Sequence, residues 1–267
     1  FPPQITCPSN LTISCEFPFT AGNLDVFGSI AFTEEDREQI CIDDPGAPGP
    51  AGPDCIGLDG LATDNCQVEI EEADPAIDLG NCGTGTITRT FVATDAGGLQ
   101  ATCQQVITVI NYDLFAENDI TWPSDLTTFD VCELNLLDPE DLDLPYSEPI
   151  LHDGACDMVG ATHTDDVYTF SNADNACYKI LRTWKVIDWC QLNTQTGGIW
   201  THIQVIKVMN AVAPVIAPIA DLDECSFDPQ CGGLVIAFTA SATDDCSAPG
   251  SLTWKYYIDV DNNLSFD

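Results

Sequence analysis

The chain has 267 residues, of which 43 are Asp or Glu, 7 are Lys or Arg and 14 are Cys, and its formal net charge is −36. A surface this acidic repels nucleic-acid backbones and anionic lipid headgroups, which argues against binding to either. No apolar run reaches the ~20 residues that a membrane-spanning helix needs, so we expect no membrane insertion. A hydrophobic content of 45% is typical of a globular chain and not of a disordered one.

The cysteines indicate an oxidising compartment. The sequence has no C-x-x-C motif, and its histidines (His152, His163 and His202) lack the spacing of a zinc finger. Fourteen thiols therefore predict a disulfide framework in a secreted or cell-surface protein. Because the sequence begins Phe1-Pro2 and not with Met, we expect a mature or partial chain.

Three internal repeats follow one another along the chain. They open on similar segments, which are ITCPSNLT from Ile5, ITWPSDLT from Ile120 and VIAP from Val215. In the first two repeats, a strand that contains an arginine and a closing strand also match. The predicted modules are residues 1–111, 112–211 and 212–267, and the last stops at Asp267 before its arginine strand. We therefore expect two complete modules and the front half of a third.

Each repeat is predicted to be all-β. Short segments rich in Thr, Val and Ile are separated by Gly, Pro, Asn and Asp, as in strands joined by turns. At residues 86–94 the alternation places Ile87, Arg89, Phe91 and Ala93 on one face, as in a strand that covers a core. A weak helical pattern occurs at residues 133–142. A module of about 100 residues with roughly seven strands predicts tandem immunoglobulin-like β-sandwich modules, cross-linked by disulfides.

Three motifs together resemble a known family. They are ITCPSNLT near the start, ATDNC at residues 62–66, and ITRTFVATDAGG followed by ATCQQVITV. In this combination they are similar to HYR-type modules. These immunoglobulin-like repeats occur in animal extracellular proteins and, as tandem arrays, in large secreted surface adhesins and fibres of Bacteroidetes-type bacteria. The resemblance covers both complete repeats and the start of the third, and it implies an extracellular spacer or adhesive role.

Comparison of the repeats predicts several disulfides. Cys7 and Cys103 are replaced together in the second repeat, by Trp122 and His202, which predicts that they bond each other. Loops at the same end of a sandwich favour further pairs within one repeat. These pairs are Cys15–Cys82, Cys132–Cys177 and Cys156–Cys190.

A Gly- and Pro-rich insert at residues 41–55 interrupts the first repeat. Its three G-x-y triplets are too few for a collagen helix, so we predict a polyproline-like surface loop closed by Cys41–Cys55, with Cys55–Cys66 as an alternative. A local Cys225–Cys231 bond would leave two cysteines for unseen sequence or a neighbouring chain. These two are Cys66 and Cys246.

Arg89 and Arg182 occupy the same position in the two arginine strands, on the face that carries the apolar residues. A charge on a core face needs a partner. Asp64 and Asp153, at matching positions in the turn before a cysteine, are the predicted partners. We interpret these as structural ion pairs, since motifs of hydrolases, metalloproteases and nucleotide-binding enzymes are absent from the sequence and we expect no enzyme.

Calcium is the strongest ligand hypothesis. Oxygen-bearing side chains alternate along residues 259–267, as in Ca²⁺ loops, although Leu264 stands where such a loop has Gly. The candidate ligands are Asp259, Asp261, Asn263 and Asp267. A polar hairpin turn explains the same pattern, and no other cofactor is predicted.

Two further candidates concern carbohydrate. Trp189 and Trp200 flank a Gly-rich turn, where an exposed ring would stack on a sugar; packing against a neighbouring module explains them equally well. Asn10 and Asn263 lie in N-glycosylation sequons.

The sequence predicts a non-catalytic structural or adhesive segment of a secreted or cell-surface fibre or repeat adhesin. Its partners would be neighbouring copies in a fibre, further repeats of the same chain, or surface glycans. The alternative is a carbohydrate-binding accessory region of a larger secreted enzyme. If Asp267 is a true terminus, strands of a neighbouring chain would complete the third module; we prefer a fragment of a longer array.

Overall fold

The computed structural model describes residues 1–49, 52–169, 176–192, 197–219, 237, 239–247 and 249–257. The described chain is all-β, with several sheets and disulfide cross-links, which confirms the predicted fold class. Its helices are single 3₁₀ turns, and in the described part of the chain none is long and apolar enough to cross a membrane. The predicted helical segment at 133–142 forms two of these turns, Leu134–Leu137 and Pro139–Asp141. The other three are Asp25–Phe27, Glu117–Asp119 and Pro249–Ser251.

The strands follow the alternating segments of the sequence. Ten lie in the first repeat: β1 Gln4–Thr6, β2 Leu11–Ser14, β3 Ile30–Ala31, β4 Gln39–Ile42, β5 Asp54–Leu58, β6 Gly60–Thr63, β7 Val68–Glu72, β8 Ala76–Leu79, β9 Gly85–Asp95 and β10 Gln100–Ile110. Eight follow: β11 Ile120–Thr121, β12 Leu126–Phe129, β13 Ile150–Leu151, β14 Val159–Thr169, β15 Ala176–Asp188, β16 Ile199–Met209, β17 Val215–Ile216 and β18 Ala242–Thr243.

The chain divides into two compact units. The first comprises residues 1–121, 150–161 and 186–200, and the second comprises residues 122–149, 162–185 and 201–267. The module boundaries at 111 and 211 stay a prediction.

The first unit contains a three-stranded sheet, in the order β1-β6-β3, and a five-stranded sheet, in the order β2-β10-β9-β7 with β8 also paired to β9. β9 and β10 form a long antiparallel hairpin, and β2 pairs with β10 in parallel. The alternate residues Ile87, Arg89, Phe91 and Ala93 are all buried, as the strand periodicity predicts. β4 and β5 form a separate hairpin around the 41–55 insert.

Most of a sheet in the order β12-β16-β15-β14 belongs to the second unit, and in this sheet β12 again pairs with the closing strand in parallel. This order matches β2-β10-β9-β7 of the first repeat. Its core contains Tyr178, Ile180, Ile206 and Val208. The opening segments of the three repeats also form matching antiparallel ladders, β1–β6, β11–β13 and β17–β18. The internal repeat seen in the sequence is therefore a repeat of sheet topology.

Candidate functional site

The buried arginines form ion pairs, but not with the predicted aspartates. Arg89 is 0% exposed and donates from Nε and Nη2 to the two carboxylate oxygens of Glu72, at 2.8 and 2.9 Å. Its Nη1 donates to the carbonyl oxygen of Gly28 at 2.8 Å and to Oε1 of Gln105 at 3.0 Å. The prediction that Asp64 pairs with Arg89 is wrong. Asp64 lies in a turn, where it accepts the backbone N–H of Cys66 at 3.0 Å.

The second repeat shows the same arrangement. Arg182 donates from Nε and Nη2 to the two carboxylate oxygens of Asp165, at 2.9 and 2.8 Å, and from Nη2 to the carbonyl oxygen of Leu137 at 2.8 Å. The predicted partner Asp153 is therefore also wrong. Both carboxylates lie 17 residues before their arginine, on the strand beside the arginine strand. The equal spacing of 17 residues in both repeats is the sequence signal that could have identified these ion pairs.

Two predicted disulfides are present in the structure. Cys7 bonds Cys103 with a Cα–Cα distance of 5.6 Å, and Cys41 bonds Cys55 across the β4–β5 hairpin. In the second repeat the rings of Trp122 and His202 replace the first bond. They stack with centroids 5.1 Å apart, so an aromatic contact takes the place of a covalent one.

The disulfides predicted within one repeat are wrong. Cys15 bonds Cys156 and not Cys82, and Cys82 bonds Cys190, with Cα–Cα distances of 6.0 and 5.8 Å. Both bonds lie inside the first compact unit, and both join the first sequence repeat to the second. The prediction failed because it assumed that each sandwich closes its own loops. In the structure the end of β2 faces a turn of the next repeat.

The same connection recurs one repeat later. Cys132, two residues beyond the position that corresponds to Cys15, bonds Cys246 and not Cys177. Cys246 lies in the ATDDC turn of the third repeat, and Cys156 lies in the corresponding turn of the second. Each strand-end cysteine thus bonds the turn cysteine of the following repeat.

An asparagine–aspartate hydrogen bond occurs at each of the two connections, with the aspartate after the turn cysteine in the first and before it in the second. Asn111 follows the closing strand β10 and donates from Nδ2 to Oδ1 of Asp157 at 3.0 Å. Asn210 follows β16 and donates from Nδ2 to Oδ2 of Asp244 at 3.0 Å. We call Cys15, Asn111, Cys156 and Asp157 the first junction, and Cys132, Asn210, Asp244 and Cys246 the second junction. Each combines one disulfide with one asparagine–aspartate hydrogen bond.

In the first junction the surroundings raise the pKa of Asp157 on balance. Burial and the neighbouring Asp188 carboxylate raise the pKa of Asp157, while the backbone N–H of Gly154 and the amide of Asn111 lower it. Donors are therefore placed where the charged carboxylate loses water. Cys156 is only 3% exposed, so the disulfide of this junction is shielded from solvent thiols.

Two cysteines of the described chain are free, Cys66 and Cys177. Cys66 is exposed, whereas Cys177 packs at the edge of the second unit's core. Burial, followed by the carboxylates of Asp244, Asp245 and Asp130, raises the pKa of the Cys177 thiol. A thiol that stays protonated at neutral pH is a poor nucleophile, so Cys177 is not suited to exchange with a disulfide. Cys225 and Cys231 lie outside the described residues.

Metal binding finds little support in the described part of the chain. The calcium candidates Asp259, Asp261, Asn263 and Asp267 lie outside it. Within it, Cys132, Asp245 and Cys246 bring possible ligand atoms within 4.8 Å of one another. Both sulfurs belong to a disulfide and offer no thiolate, so this group does not form a thiolate metal site.

The carbohydrate candidates have separate surroundings. Trp200 packs edge-on against Phe115, with ring centroids 5.2 Å apart. Trp189 is half-exposed, and its ring lies against Gly160, where an added Cβ would come within 2.8 Å of the indole. Packing explains Trp200, whereas Trp189 keeps an exposed ring face, and glycan binding stays a prediction.

The described sequon asparagine has a structural role. Asn10 accepts the backbone N–H of Val106 through its Oδ1 at 2.7 Å. Asp125, at the same position of the second repeat, accepts the N–H of Val205 at 2.8 Å. Asn10 is therefore explained as a hydrogen-bond acceptor for a strand N–H, a role that Asp125 fills in the second repeat. Asn263 lies outside the described residues.

No protein-family model and no curated protein matches the chain. Among solved structures it is similar to the human mucin-like protocadherin fragment EC1-2, with 9% identity over 78% of this chain and 99% of that chain and a TM-score of 0.27. It is also similar to extracellular cadherin domains 1–4 of protocadherin gamma B7, with 11% identity over 91% of this chain and 60% of that chain and a TM-score of 0.27. Similarities this weak decide neither the fold nor the function.

Proposed function

We propose that the chain is a non-catalytic structural or adhesive segment of a secreted or cell-surface repeat protein, in which successive repeats are joined by disulfides. The observation that carries the proposal is the repeated junction, with Cys15–Cys156 in the first and Cys132–Cys246 in the second. A bond of this kind keeps neighbouring repeats attached when either one unfolds.

Three other features support this function. Five disulfides in the described chain suit an oxidising, extracellular compartment. The net charge of −36 keeps a long repeat protein soluble through mutual repulsion. The buried arginines bind carboxylates and carbonyl groups of their own repeat, as structural ion pairs do. The HYR-type resemblance and a setting in a bacterial fibre or adhesin belong to the same proposal.

Immunogold electron microscopy of the native protein, with an antibody raised against this chain, tests the proposal. We expect label along fibres or on the cell surface, and none with antibody that has been adsorbed on the purified chain. Label confined to the cytoplasm would contradict the proposal. Glycan-array binding that Trp189→Ala abolishes would favour the alternative of carbohydrate-binding accessory modules.

A further inference from the structure

The turn cysteine occupies the same position in all three repeats. It is Cys66 in ATDNC of the first, Cys156 in the second and Cys246 in ATDDC of the third. The last two bond the strand-end cysteine of the repeat before them, Cys15 and Cys132. Cys66 alone of the three is a free and exposed thiol. Its counterparts therefore show what chemistry this position performs.

A neighbouring aspartate points to the same partner. Asp64 lies two residues before Cys66, as Asp244 lies two residues before Cys246. In the second junction Asp244 accepts a hydrogen bond from Asn210, which follows the closing strand of the preceding repeat. Asp64 offers an equivalent acceptor, and in the structure it accepts the backbone N–H of Cys66 within its own turn. The first repeat thus carries the turn cysteine and the aspartate acceptor of a junction.

We propose that Cys66 and Asp64 form an attachment site for another repeat of this type. The incoming repeat supplies a strand-end cysteine like Cys15, which bonds Cys66, and an asparagine after its closing strand like Asn111, which donates to Asp64. It belongs either to the same polypeptide or to a neighbouring chain. This inference rests on the proposed function, because it extends the observed junctions by one more.

The bond forms by thiol–disulfide exchange with a small-molecule disulfide such as oxidised glutathione. The Cys66 thiolate attacks one glutathione sulfur and releases the other glutathione as a thiol. The incoming cysteine thiolate then attacks the Cys66 sulfur and releases the second glutathione. Two protein thiols are oxidised to one disulfide, and one glutathione disulfide is reduced to two thiols.

This junction would contain a single disulfide. The first junction is reinforced by Cys82–Cys190, but Gly97 stands in the first repeat at the position of Cys190. Cys66 would thus be the only covalent attachment at this end of the repeat. The Cys66→Ser variant is therefore predicted to lose the covalent attachment at this end of the repeat. Because the side chain is exposed, the substitution should not disturb folding.

The test is a peptide map of the native protein after its thiols are blocked with N-ethylmaleimide and before any reduction. We expect Cys66 unmodified and linked to a cysteine that follows a strand of the LTIS type. If the unreduced, denatured mass falls on reduction, the partner is a neighbouring chain; if not, it is a repeat of the same polypeptide. In the Cys66→Ser variant that partner cysteine should take up N-ethylmaleimide, whereas the matched Cys41→Ser variant should release only Cys55.

The inference is overturned if Cys66 carries N-ethylmaleimide in the native protein, or if it is bonded to a cysteine within residues 1–267. If electron microscopy shows the same material as fibres or a surface layer, the proposed function still stands after either result. Failure of the attachment site and failure of the function are thereby distinguished.

Discussion

Pulled between its ends, the oxidised chain should extend to only roughly 200 Å, against roughly 950 Å after reduction, at about 3.6 Å per residue. The reason is the order of the disulfides. Cys7–Cys103 and Cys132–Cys246 bypass most of the polypeptide, so that force passes only through residues 1–7, 103–132 and 246–267. The rest of the chain is shielded from load even if its strands unfold.

Single-molecule force spectroscopy measures this length directly. A double variant, Cys132→Ser with Cys246→Ser, is the matched control, because the shortest covalent path then runs through Cys82–Cys190 and should reach roughly 370 Å. Disulfides confined within each repeat would instead give the unmodified chain an extension of roughly 450 Å. An oxidised length near that value would contradict the observed pairing.

The second large effect concerns the core. Arg89→Ala should lower the free energy of unfolding by about 3–5 kcal/mol, because it empties a fully buried site and removes the buried member of an ion pair. The guanidinium is 0% exposed, and its loss leaves Glu72, the Gly28 carbonyl and Gln105 without their donor. Urea denaturation with the disulfides intact measures the change.

Glu34→Ala is the matched control for this prediction, because it breaks an ion pair at its exposed side chain. Arg37 pairs with Glu34 at 3.0 Å, but the Glu34 side chain is 71% exposed, so solvent screens the pair. Its loss should cost about 1 kcal/mol or less. Equal effects of the two substitutions would show that the burial of Arg89 contributes nothing.

Much of the fold was predictable, because it depends on local patterns that the sequence repeats. The alternation around Ile87, Arg89 and Phe91 correctly gave a strand with one buried face. The joint replacement of Cys7 and Cys103 in the second repeat correctly indicated their bond. In each case two copies of one structural unit could be compared at equivalent positions.

The partners of Cys15 and Arg89 were not predicted, because they depend on which elements meet in space. The ion pairs follow strand order in the sheet, which places Glu72 and not Asp64 beside the arginine. The disulfides follow the contact of one repeat with the next. One signal was present: pairing within repeats left Cys246 without a partner, whereas pairing between repeats supplies one in Cys132.

Disulfides join successive repeats, and the partners of four cysteines test this pairing most directly. The oxidised chain is blocked with N-ethylmaleimide and digested with pepsin at acid pH, where thiol–disulfide exchange is suppressed because thiolates are scarce. Mass spectrometry of the unreduced peptides should find Cys15 linked to Cys156 and Cys82 linked to Cys190. Peptides that link Cys15 to Cys82 and Cys156 to Cys190 would show that the disulfides stay within each repeat, and would contradict the pairing between repeats.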